Sequence, residues 1–392
     1  MRAIDSIDFF YLSMPEILDI ADGGQDALLV RVVAGDQVGW GECEAAPLPT
    51  IASLVCPMSH SACKPVLASV LGQPFDGPSD IARIHRQVRL SSMDLLQSSH
   101  ALSGIDIALW DLLGKIRSQP VYALLGVQKA HAKLPYCSVL FGDTPEETRL
   151  KAREAQLQGY HAIKLGWGAF GHGALRDDID QVMAAREGLG PDGILCIDVG
   201  TIWETDVDAA AQRLTVLEAC DVTWLEEPFH TGALSAYRAL ADRSPRVKLA
   251  GGEGAHNEHL ANIMIEYAGV GYIQIDAGRV GGITSAQRVF EHAQARGVTF
   301  VNHTFTTHLA LSASLQAYAG AADHVLCEYP GHPTTLAYDL TCDHLERDGN
   351  GEIHLPERPG LGIDPDPATI RRYLVDAEVC VNGQVLYRTP TL

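Results

Sequence analysis

Ile194-Leu-Cys-Ile-Asp198 and Val222-Thr-Trp-Leu-Glu-Glu227 are short apolar runs that close on carboxylates, about one β-α unit apart. Continuous runs of this kind fit parallel strands covered on both faces. The pattern repeats outward in both directions. His161-Ala-Ile-Lys-Leu165 precedes the pair, and Val247-Lys-Leu-Ala-Gly-Gly-Glu253, Tyr272-Ile-Gln-Ile-Asp276 and Val298-Thr-Phe-Val-Asn-His303 follow it. Each run brings a polar group to its end: Lys164, Asp198, Glu226, Glu253, Asp276 and His303. Leu134-Pro-Tyr-Cys-Ser-Val139 adds a strand in front and His324-Val-Leu-Cys-Glu328 one behind, which makes eight. The stretches between them read as helices. The first has Thr144 as N-cap, Pro145 at N1, Glu147 completing a capping box, and Gly159 at its end. The expected fold class is therefore α/β, a modified (β/α)8 barrel, in which catalytic groups come from the C-terminal ends of the strands.

The flanking sequence follows other rules. Residues 1–128 read as a separate α+β module that caps the barrel of residues 129–345, and residues 346–392 as a tail returning to that cap. In the cap, Asp26–Val33 and Gln37–Glu42 flank an Ala-Gly-Asp turn and predict an antiparallel hairpin. One helix is expected from Ser79 as N-cap and another over Leu102–Lys115. Leu345–Leu355 reads as a further hairpin. Residues 13–26 and 45–64 are too irregular for elements and are expected to fold over the barrel mouth as lids.

Composition narrows the partners. A net charge of −20 argues against nucleic acid and acidic membrane surfaces, and requires local positive charge at any site that takes an anion. No apolar run approaches the ~18 residues of a membrane-spanning helix. The start lacks a signal peptide's basic-then-apolar order, and an odd count of nine cysteines, several inside predicted strands, fits reduced thiols in the cytoplasm.

Three bare carboxylates at one rim, Asp198, Glu226 and Glu253, repel each other by about 4 kcal/mol per pair at ~4 Å and an effective dielectric near ~20. A proton or a cation must join them. An all-oxygen set favours a hard ion, Mg²⁺ before Mn²⁺. Asp276 and His303 end the next two strands, so the carboxylate can orient the imidazole and raise its basicity. His303 is then a candidate general base. Lys164 is a charge on an apolar strand that needs the rim carboxylates or a substrate anion. Glu328 is placed to donate a proton or hydrogen bond to the far side of an anionic intermediate. This set suits removal of a proton alpha to a carboxylate, with the enolate stabilised by the metal and Lys164.

Ser103-Gly-Ile-Asp-Ile-Ala-Leu-Trp-Asp111, Trp224-Leu-Glu-Glu-Pro228, Gly252-Glu253, Asp276 with Gly281-Gly282, and His303 resemble the enolase superfamily, and within it the mandelate racemase subgroup. The likeness spans essentially the whole chain. It implies one Mg²⁺ per subunit on Asp198, Glu226 and Glu253, the dyad Asp276/His303, Glu328 as electrophilic residue, and an even-numbered homo-oligomer. Lys or His bases acting with Mg²⁺ are what the resemblance to this superfamily implies. Two positions depart from the subgroup. Lys-x-Lys is here Lys164-Leu-Gly166, which removes a base on the opposite face, and Asp-x-Asn is Asp198-Val-Gly200. With His303 alone, the expected reaction is one-sided: loss of the alpha proton, then of the beta hydroxyl, as in an acid-sugar dehydratase.

Two rivals stand beside this reading. An epimerase or lactone cycloisomerase would need Lys164 or His256 on the opposite face, and an inactive relative would have no use for a buried dyad. Ser138, Trp203 and His256 lie near the rim as candidate substrate contacts. Gly166-Trp-Gly168-Ala-Phe-Gly171 fits a dinucleotide fingerprint, but that reading leaves the eight strands and three carboxylates unexplained. Cys56, His60 and Cys63 lack a fourth zinc ligand. Asp348-Gly-Asn-Gly-Glu352 reads as a turn before a calcium loop.

Overall fold

Side chains alternate along a strand, so residues two apart point the same way. That period organises the barrel. Tyr136, Ala162, Cys196, Trp224, Val301 and Leu326 form one buried apolar layer. Two residues further along each strand stand Ser138, Lys164, Asp198, Glu226, His303 and Glu328. The apolar layer closes the barrel floor, and the polar one faces the mouth.

The computed structural model describes residues 2–20, 23–244, 246–304 and 306–392. The barrel strands, first to eighth, are Leu134–Leu140, Ala162–Gly166, Ile194–Asp198, Val222–Glu226, Lys248–Gly251, Tyr272–Ile275, Thr299–Asn302 and Leu326–Pro330. They form one eight-stranded parallel sheet in which the eighth strand pairs with the first. The seventh and eighth strands are its two ends, and side chains close that seam. Asn302 Oδ1 accepts from the Glu328 backbone N–H at 3.0 Å and from the Tyr318 hydroxyl at 2.9 Å. The Phe300 N–H donates to His324 Nδ1 at 2.8 Å.

The cap is built on a three-stranded antiparallel sheet, Ser6–Ser13, Asp26–Ala34 and Gln37–Cys43. Its last strand lies backbone against backbone on the helix Ser98–Arg117. A Cβ at Gly39 would stand 2.1 Å from the Ala108 carbonyl oxygen, and one at Gly41 2.2 Å from that of Gly104. The same helix ties the cap to the barrel. Ser103 Oγ accepts from the Gly281 N–H at 2.8 Å, and Asp106 accepts from the Thr284 N–H at 3.0 Å. Asp111 accepts from the N–H groups of Trp40 and Leu361, both at 2.8 Å. The tail hairpin, Glu378–Val381 with Gln384–Arg388, returns to the cap, where the Tyr387 hydroxyl donates to the Phe9 carbonyl at 2.7 Å.

Several local expectations need correction. Ser79 is not an N-cap: the helix is Pro78–Ser91 with Gly77 as cap, because Asp80 accepts from the N–H groups of Asp76 and Gly77. Residues 45–64 hold a helix, Pro47–Val55, nucleated by proline at its first position and buried through Ile51 and Leu54. Leu345–Leu355 does not pair with itself; Ile353 bridges Lys133 instead, while Asp348 closes a local turn through the N–H groups of Asn350 and Glu352. The segment 13–26 does reach the barrel mouth, where Gly23 lines the cavity and the Thr334 hydroxyl donates to the Gly24 carbonyl. Ala21 and Asp22 of that expected lid lie outside the described residues. Among the described residues, no helix is long and apolar enough to cross a membrane.

Candidate active site

A cavity of about 450 Å³ opens at the C-terminal ends of the strands. Lys164, Asp198, Glu253, His303, Glu328 and Ser138 line it, as their strand positions require. Lys164 is the hub. Its ammonium lies 2.7 Å from Glu226 Oε1, 2.8 Å from Glu328 Oε1 and 3.2 Å from Asp198 Oδ2. Burial disfavours that charge, but the three carboxylates outweigh it and hold the lysine well above its ordinary pKa.

The acidic groups crowd one another. Burial, then the charge of Asp198, pushes the Glu226 carboxyl up to about 8 despite Lys164. Its other oxygen accepts from Trp224 Nε1 at 2.9 Å. Burial also raises Asp198, with Glu253 adding repulsion. Glu227, which the sequence analysis passed over, is buried beside them at φ +42. Burial and the charges of Glu253, Asp198 and Glu226 push it well up, and its Oε1 has no hydrogen-bond partner among the described residues. An orphaned oxygen inside an all-carboxylate set fits a hard divalent cation, which relieves repulsion that one ammonium leaves in place.

His303 and Asp276 meet as expected, Nδ1 to Oδ2 at 2.7 Å, and Asp276 Oδ1 is fixed by the Gly278 N–H at 2.6 Å. The imidazole presents Nε2 to the cavity side, 3.1 Å from Glu253 Oε2. Burial opposes an imidazolium there, but Glu253, Glu328 and the Asp276 bond prevail and raise the pKa to about 10. Glu328 lines the same cavity. It faces Lys164 through one oxygen and accepts from the Thr304 N–H at 2.8 Å through the other. Burial would raise its pKa, yet Lys164 and His303 lower it to about 2.

Two expected substrate contacts are elsewhere. Trp203 is buried under Phe170, with the Arg213 guanidinium 5.2 Å over its ring. His256 is exposed and outside the cavity lining, bonded through Nδ1 to His100 Nε2 at 3.0 Å. In place of those contacts the cavity has Trp167 and Arg279. Arg279 bridges Glu253 at 3.3 Å and Glu44 of the cap at 3.4 Å. Its place three residues past Asp276 was the available signal. Away from the mouth, His60 Nε2 pairs with Asp94 at 3.1 Å. Asp348, Glu352 and His354 bring ligand atoms within 4.8 Å of one another on the surface turn.

Comparison with known proteins agrees with this fold. The profile described as Enolase C-terminal domain-like matches residues 147–369, and that described as Mandelate racemase / muconate lactonizing enzyme, N-terminal domain, matches residues 21–126. The chain is 29% identical over 354 residues to the D-galactarolactone cycloisomerase of Agrobacterium fabrum, covering 86% of this chain and 88% of that one. It is 27% identical over 263 residues to the arabinonate dehydratase of Saccharolobus solfataricus, covering 67% and 68%. A crystal structure titled "predicted Mandelate racemase" from Rhodobacter sphaeroides superposes with a TM-score of 0.97 at 58% identity, over 100% of both chains.

Proposed function

The chain belongs to the mandelate racemase and muconate lactonizing enzyme family of the enolase superfamily, and from that premise we propose that it dehydrates a sugar acid with Mg²⁺. The observation that carries this reading is one imidazole orientated by a carboxylate, His303 on Asp276, in a cavity where the strand position that would carry a second base is Gly166. Relatives of this chain include both dehydratases and cycloisomerases, so the finer choice rests on the site.

Asp198, Glu226 and Glu253 would hold the cation, with Mn²⁺ as substitute. When bound, it supplies positive charge that stabilises the enolate dianion. A cation on Glu253 would compensate the carboxylate that does most to keep His303 protonated, so the imidazole can stand neutral; its Nε2 then takes the alpha proton of the hydroxy acid, and the C–H electron pair moves into the carboxylate. Asp276 fixes the tautomer and carries the imidazolium charge that follows. Lys164 keeps its ammonium at the cavity wall beside the growing negative charge. The electrons then return to form the alpha-beta double bond, the beta C–O bond breaks, and the imidazolium gives its proton to the leaving hydroxyl as water. The enol product tautomerises to a 2-keto-3-deoxy acid.

Epimerisation or cycloisomerisation needs a group on the other face. Lys164 has its three nearest acidic partners already in place, and His256 is outside the cavity. Both observations favour the one-sided reaction. The test is His303→Asn in the full-length protein with Mg²⁺. Exchange of the substrate alpha proton for solvent deuterium should disappear while the circular dichroism spectrum is unchanged; retained exchange would remove His303 as the base.

A further inference from the structure

The cations on the cavity wall differ in one respect. Lys164 has three acidic neighbours, Arg279 has Glu44 and Glu253, and His303 has Asp276 and Glu253. Lys151, on the helix Pro145–Leu157, lines the same cavity without one. Its ammonium donates to the carbonyls of Leu140 at 3.1 Å and Phe141 at 3.3 Å, at the end of the first strand, and pairs with no carboxylate among the described residues. An ammonium has three N–H donors, so one remains unassigned. A half-buried cation held only by neutral acceptors is under-compensated, and an anion supplied from the cavity would complete it.

The position matters as much as the charge. His303 and Lys164 define where the reacting carboxyl end sits. Val139, Leu140 and Trp167 line the same cavity and add apolar surface to it, beside the polar Ser138 and His332. A net charge of −20 repels a substrate with a second negative group unless a local cation receives it. We propose that Lys151 binds a distal carboxylate, and that the substrate is a hydroxylated dicarboxylate of the aldaric type rather than a monoacid. This rests on the enolate reading for which end reacts, but the binding preference can be measured without turnover.

The experiment is calorimetric titration of the His303→Asn protein, with Mg²⁺, using matched pairs of hexarates and hexonates (glucarate with gluconate, galactarate with galactonate) and 6-phosphogluconate. At least one hexarate should bind about tenfold more tightly than its hexonate, and Lys151→Met should erase that preference while leaving hexonate binding unchanged. Equal affinity within every pair, or an equal loss for both acids in Lys151→Met, would overturn the proposal. Tighter binding of 6-phosphogluconate than of any hexarate would overturn the carboxylate assignment in favour of a phosphate. Alpha-proton exchange by the parent enzyme separates the two layers: exchange on hexonates alone sinks the dicarboxylate claim, whereas absent exchange beside a Lys151-dependent hexarate preference sinks the enolate chemistry alone.

Discussion

Gly200 sits at φ +52, and a Cβ built there would stand 2.6 Å from the indole of Trp167. A Cβ at Gly166 would stand 3.1 Å from the Cβ of Asp198, a crowded contact. At one of the two positions where the sequence departs from its subgroup, Trp167 therefore covers the wall where an asparagine would otherwise project. Asn tolerates positive φ, so Gly200→Asn should act through the indole, displacing Trp167 and costing about 1–3 kcal/mol. A thermal melt with tryptophan fluorescence reads both effects, and an unchanged melt with unmoved emission would contradict the packing. Asp276→Asn keeps the shape but loses the charge that holds the imidazolium. Alpha-proton exchange should fall by about 10²–10⁴-fold, with its acidic limb moving to lower pH because the His303 pKa falls. A pH–rate profile that merely drops without moving would show that Asp276 does not set that pKa. At this scale the sequence was informative about charge and poor about orientation. Lys164, Asp198 and His303 announced themselves as polar ends of apolar runs, whereas Glu227 and Arg279 lie just past strand ends and Lys151 on a helix, and these needed coordinates.

The helix Ser98–Arg117 shows why a motif can be legible before its reason is. Ser103, Asp106 and Asp111 lie far from the chemistry, yet each receives backbone N–H groups from another part of the molecule. Asp111→Asn is the sharpest test, because an amide must turn its NH2 toward either the Trp40 or the Leu361 donor. Its cost should be about 1–3 kcal/mol, read as a lower urea midpoint at unchanged slope. No shift would mean that solvent replaces those bonds. Elements with a strong local period were readable: the barrel strands, the hairpin Asp26–Ala34 with Gln37–Cys43, and the helix after the first barrel strand. In that helix Thr144 caps through the Glu147 N–H at 3.2 Å, although Glu147 reaches back to Asp143 rather than to the cap itself. The strand Ser6–Ser13 escaped notice because its ladder partner, Asp26–Ala34, and the tail that covers it lie elsewhere in the sequence. The false hairpin at Leu345–Leu355 has the same cause, since its ladder partner is Lys133.

At the scale of the whole molecule, an eight-stranded barrel gathers acidic groups that would not tolerate one another in isolation. Burial and then the charge of Asp198 raise Glu226 from 4.5 to about 8, so its ionisation increasingly destabilises the fold as pH rises from about 4.5 through 8. A divalent cation that binds the ionised set should therefore raise the melting temperature little at pH 5 and clearly more at pH 8, and chelator should reverse the gain. An equal gain at both pH values would place the ion elsewhere, the surface turn of Asp348, Glu352 and His354 being the alternative. The barrel and its site were readable because one period of two residues stacks an apolar floor under an ionisable rim, strand after strand. Cavity shape was not readable, since Trp167 and the chain around Gly23 enter it from loops. The central claim is that one base, His303, acts on one face and that water leaves. Proton NMR in D2O with Mg²⁺, across aldonic and aldaric acids, tests it most directly. The account predicts a 2-keto-3-deoxy product whose formation depends on His303. Deuterium entering the alpha position with inversion, and no loss of water, would contradict it.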